Sequence, residues 1–82
     1  MRYPSREEVQ RIRERYPVGA TVELVRMDDP YSRSLVPGCR GRIVAVDDIG
    51  TVHVAWRNGS TLGVVIGVDE IKIVPEDDSH DR

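Results

Sequence analysis

Apolar positions change their period once along the chain. Between Ser5 and Tyr16 they fall at Val9, Ile12 and Tyr16, three and four residues apart, which is one narrow stripe on a helix. A helix over residues 5–16 follows. Ser5 and Glu8 have the spacing of a capping box, in which the hydroxyl takes a free backbone N–H and the carboxylate reaches back to the cap. Glu7 and Glu8 lie near the positive helix end, and Arg11, Arg13 and Arg15 near the negative one. Pro17 forbids continuation. About three helical turns are unstable alone, so the stripe must cover the segment that follows.

From Val18 the period becomes two. Residues 21–27 predict a first strand with Val22 and Leu24 on one face, 42–47 a second, and 51–56 a third with Val52, Val54 and Trp56 alternating inward. Asp47-Asp48-Ile49-Gly50 is a tight connection. Asn58-Gly59 signals a hairpin with a type I′ turn, positive φ at both residues, leading into a fourth strand over 60–66. Residues 67–70 turn into a fifth short strand at 71–74, which Pro75 ends. One long loop, residues 28–41, separates the first two strands. The expected fold is mainly β: a small five-stranded SH3-like β-barrel preceded by one short N-terminal α-helix. Closure would remove edges that so small a domain could hardly cover.

Eighty-two residues make one domain, here residues 1–75. Residues 76–82 carry four acids and one arginine and read as a disordered acidic tail of net charge −3, which leaves +1 on the rest. Eleven of the twelve basic residues are arginine, whose fork suits carboxylate, phosphate and aromatic partners. A near-neutral body nevertheless lacks the strongly basic footprint of a dedicated nucleic-acid binder. No apolar run approaches a membrane span or a secretory signal, and the single Cys39 forms no internal disulfide. A cytoplasmic monomer is expected, with no membrane partner.

Several short motifs point further. Tyr3-Pro4-Ser5, Ile12-Arg13, Tyr16-Pro17-x-Gly19, Val22-Glu23-Leu24 and Met27-x-Asp29-Pro30 are joined by Pro37-Gly38-x-Arg40-Gly41 and Val46-Asp47-Asp48-Ile49-Gly50. Val54-x-Trp56-x-Asn58-Gly59-Ser60 and Gly67-Val68-Asp69 complete the set. Together, over residues 3–74, they resemble domain-of-unknown-function family 4314, and the resemblance implies a small bacterial or phage-borne protein. The second half is also similar to KOW- and SH3-like barrels, a class of transcription, ribosome-associated and protein-binding modules.

Candidate chemistry is sparse. Cys39, His53 and His80 have no zinc-ligand spacing, so no metal site is expected. Cys39 reads as a quiet loop thiol, and His53, alternating with Val52 and Val54, as an outward-facing histidine. Asp28-Asp29 and Asp47-Asp48 read as turn residues, since adjacent carboxylates on a turn rarely converge. Gly38-x-x-Gly41 is too short for a phosphate loop. With no catalytic constellation and no cofactor, the reading is of a binding module. Trp56 could stack on a ligand, but it also continues the inward series of Val52 and Val54 and would plug one barrel end. Tyr31 belongs to no apolar periodicity and is a candidate surface contact. Arg33, Arg40, Arg42 and Arg57 could flank it. A protein partner is favoured, because a near-neutral body and an acidic tail weaken phosphate binding. Nucleic acid, through those arginines, is the alternative.

Overall fold

The computed structural model describes residues 4–27 and 35–75. Its elements are α1 (Arg6–Arg15), β1 (Thr21–Arg26), β2 (Arg40–Val46), β3 (Thr51–Trp56), β4 (Gly63–Val65) and β5 (Glu70–Ile73). The capping box forms: the Glu8 N–H donates to Ser5 Oγ at 3.1 Å, and the Ser5 N–H donates to Glu8 Oε1 at 2.7 Å. Tyr16 closes the other end, its N–H bonded to the Ile12 carbonyl. The fold is mainly β, with five antiparallel strands in one sheet and one short N-terminal helix.

The strand order is β4-β3-β2-β1-β5. Val65 O accepts the Asp69 N–H at 2.8 Å, so the chain leaves β4 and enters β5 almost at the same place. In a flat sheet these two edge strands would stand about 19 Å apart, four spacings of about 4.8 Å. The short turn therefore forces the sheet to curl until its edges approach. The expected closure does not follow. Among the described residues the edges share only the single bridge Ile66↔Asp69, and β4 and β5 form no ladder with each other.

A second correction explains why β4 is short. The expected strand over 60–66 survives only as Gly63–Val65. The Trp56 indole N–H donates to the Leu62 carbonyl at 3.0 Å, and the Trp56 backbone N–H to the Ser60 carbonyl at 2.8 Å. Those bonds draw Ser60–Leu62 out of the ladder. Nor is the turn before it type I′. No described non-glycine residue has positive φ, so Asn58 stays right-handed and only Gly59 is left-handed, at φ 92°. Asn58 Oδ1 instead accepts the Ser60 N–H at 2.9 Å, and the Gly59 N–H returns to the Trp56 carbonyl. This is the longer hairpin loop that ends in a glycine bulge.

The concave face holds the core: Val22, Leu24, Ile43, Val52, Val54, Trp56, Val64 and Ile71, with Leu35 and Tyr16 completing the cluster. β2 begins two residues before the expected start and brings Gly41 into that face. A Cβ there would lie 2.7 Å from the Ala55 carbonyl oxygen and 2.9 Å from Trp56 Cα, so the β2–β3 approach requires glycine. α1 docks by Val9 and Tyr16, both buried, and by Ile12, which packs against the cluster. The turn between β2 and β3 receives it, and an added Cβ at Gly50 would meet Ile12, Pro4 and Val9.

Candidate functional site

Three places on this frame carry the candidate residues. The first is the convex face of the sheet. Arg40 and Arg42 alternate with Gly41 on β2 and so point away from the core. Arg42 pairs with Ala55, and the Arg57 N–H donates to the Arg40 carbonyl at 2.9 Å, which gathers Arg40, Arg42 and Arg57 at one corner. Glu23 neutralises part of this charge. Its Oε1 lies 3.1 Å from Arg40 Nε and its Oε2 lies 3.6 Å from Lys72 Nζ. Tyr31 and Arg33, the other members of that candidate surface, lie outside the described residues.

The second place is Trp56. Its ring is in the core, 3% exposed, and its indole N–H is satisfied by Leu62. The burial leaves no ring face for stacking on a ligand.

The third place was not anticipated from the sequence. A groove of about 980 Å³ runs between one flank of α1 and the turn linking β4 to β5. Ile12 and Tyr16 line it from the helix, and Ile49, Val65, Ile66 and Val68 from the sheet. Ile49 is 49% exposed, and Val65 and Val68 are each 46% exposed, so this is apolar surface left open to water. Glu8, Arg11, Glu14 and Arg15 form its helical rim, with signs alternating along the axis. Arg15 lies over the Tyr16 ring, 5.7 Å from its centre. A signal for this groove did exist in the sequence. Ile49 sits between Asp48 and Gly50, and Val68 between Gly67 and Asp69, apolar side chains at turn positions where polar ones are usual.

The titratable groups serve the frame. Asp47 Oδ1 accepts the N–H groups of Ile49 and Thr51, and its Oδ2 lies 2.9 Å from His53 Nε2. The bond to His53, aided by the two backbone donors against a desolvation cost, holds the Asp47 carboxyl below its ordinary range. Arg13 bridges the helix to the same turn, bonding Asp48 Oδ1 at 3.1 Å and the Val46 carbonyl at 3.3 Å. The turn reading of Asp47-Asp48 is thus the geometry found. Half-buried Cys39 makes only a long contact to the Arg40 carbonyl. Among the described residues no three His, Cys, Asp or Glu side chains gather where they could hold a metal ion, and no helix is long and apolar enough to cross a membrane.

No curated protein and no solved structure matches this sequence. The model of the family described as "Domain of unknown function (DUF4314)" matches residues 5–74, and the chain belongs to that family.

Proposed function

We propose that this DUF4314 member is a small non-enzymatic binding module whose ligand is another protein, received in the groove between α1 and the β4–β5 turn. The observation that supports this is the groove's composition. Its floor is aliphatic and half-exposed, and its rim carries charges of both signs. Exposed apolar patches rimmed by polar residues mark protein contacts. A floor of this kind offers little to a phosphate backbone, which is gripped by unbroken positive charge. The module works in the cytoplasm of a bacterium, or as an accessory protein of a phage or mobile element.

One observation favours a second reading. Arg40, Arg42 and Arg57 do converge on the convex face, which would suit the phosphates of a nucleic acid. Glu23 between Arg40 and Lys72 dilutes that positive charge and ranks this reading second.

A pull-down from host lysate with and without nuclease separates the two. Capture that survives nuclease, is lost in Val68→Glu and persists in the pair Arg42→Ala and Arg57→Ala is the expected outcome. Capture that disappears with nuclease and with the arginine pair would replace the protein reading with the nucleic-acid one.

A further inference from the structure

The groove's rim carries information about its occupant. Arg11 and Arg15 have no ion-pair partner among the described residues, although both line the groove. A partner that satisfies them must present carboxylates at the same helical spacing, and must offer cations to Glu8 and Glu14. α1 itself has that pattern. Suppose two copies of α1 lie antiparallel with a two-fold axis beside Ile12. Glu8 of one copy then falls within about one residue, ~1.5 Å along the axis, of the position facing Arg15 of the other, and Arg11 equally close to the position facing Glu14. Every like-signed pair along this rim is out of step by at least about two residues, ~3 Å. A parallel arrangement would instead set Glu8 against Glu8 and Arg11 against Arg11.

We infer that the groove binds a second copy of this chain, forming a two-fold dimer through antiparallel α1 helices in place of the monomer expected from sequence. The inference rests on the protein-binding reading and names its partner. A two-fold contact uses the same patch on both subunits, so a self-complementary rim is what such a patch requires. Ile12 meets its copy at the axis, and Ile49, Val65 and Val68 of each subunit close over the other's helix. The twelve residues lining the groove are fewer than the roughly 20–30 per side of a standard interface. Association is therefore weak and concentration-dependent.

Sedimentation equilibrium on the full chain, from about 10 µM to about 1 mM, tests this. The wild-type mass is expected to rise towards that of a dimer across the range. Arg11→Glu and Glu14→Arg each replace two cross-axis attractions by repulsions and should weaken association about 10-fold or more, less so at high salt. The double variant Arg11→Glu with Glu14→Arg restores opposite signs across the axis and should recover wild-type association within about 3-fold. All three sites are exposed, so far-UV circular dichroism should report the same fold throughout. A wild-type chain that stays monomeric at about 1 mM, or a double variant no better than either single one, overturns the dimer. Failure of self-association leaves capture of a different protein, read by Val68→Glu, to stand or fall separately.

Discussion

Gly41→Ala adds one methyl group at the tightest point of the sheet. Gly41 is buried on the concave face, paired with Val22 on one side and Trp56 on the other. The new Cβ would sit 2.6 Å from Val54 Cγ1, 2.7 Å from the Ala55 carbonyl oxygen and 2.9 Å from Trp56 Cα. A side-chain methyl can rotate away, but the other two atoms are backbone. Relief must therefore come from spreading the β2–β3 ladder. Overpacking of one methyl group costs about 1–3 kcal/mol, and a backbone clash belongs at the upper end. Loss of glycine's freedom in the unfolded chain returns about 0.4–1 kcal/mol. The net is a loss of about 2 kcal/mol, or roughly 8–16 °C in melting temperature for a domain of this size. Gly59→Ala is the control, since a Cβ there meets nothing within 4 Å and only the φ of 92° opposes it. That strain costs about 1 kcal/mol. Urea titrations of both variants at constant slope give the comparison directly. If Gly41→Ala proved no less stable than Gly59→Ala, the close approach of β2 and β3 would be wrong.

Other perturbations follow from the same contacts. Removing residues 1–17 exposes the surface covered by Val9, Ile12 and Tyr16 and should cost several kcal/mol, since a large buried apolar side chain is worth about 1.5–3 kcal/mol; an unchanged melting temperature would refute the docking. Trp56→Ala should lose about 3–5 kcal/mol through the cavity alone, and it also leaves the Leu62 carbonyl without its donor. A melt as stable as wild type would place the ring outside the core. Because folding lowers the Asp47 pKa, its contribution is complete above the ordinary value of 3.8 and is lost as pH falls through the lower, folded value. Thermal melts between about pH 6 and pH 2.5 should show less acid destabilisation in Asp47→Asn than in wild type, and parallel curves would dismiss the contribution.

How much of this was legible beforehand depended on the range of the cause. The helix was readable because its signals are local: a cap, a stop and a stripe within twelve residues. The inward series Val22, Leu24, Val52, Val54 and Trp56 was readable because a half-buried strand repeats every two residues. The errors came from contacts that cross the chain. Asn58-Gly59 looked like a type I′ turn until the bonds of Trp56 to Ser60 and Leu62 fixed a longer loop. Ladder closure was expected because exposed edges are costly, yet β4 is only three residues long and meets β5 through a single bridge. Arg40, Arg42 and Arg57 were rightly grouped as outward arginines, whereas their tie to Lys72 through Glu23 depends on the β1–β2 and β1–β5 registers. The groove escaped notice because it joins residues 4–16, 49–50 and 65–68, which no periodicity connects.

The central claim is that partners reach this domain through the groove and not through the convex arginine corner. Amide chemical-shift mapping locates the contact without presuming the partner's identity. Labelled protein would be titrated with whatever a nuclease-treated pull-down recovers, or with unlabelled copies of itself. The account predicts that the perturbed amides cluster at residues 8–16, 49–50 and 65–68, while those of Arg40, Arg42 and Arg57 stay in place. Shifts concentrated at Arg40, Arg42 and Arg57, with α1 and the β4–β5 turn unmoved, would contradict it.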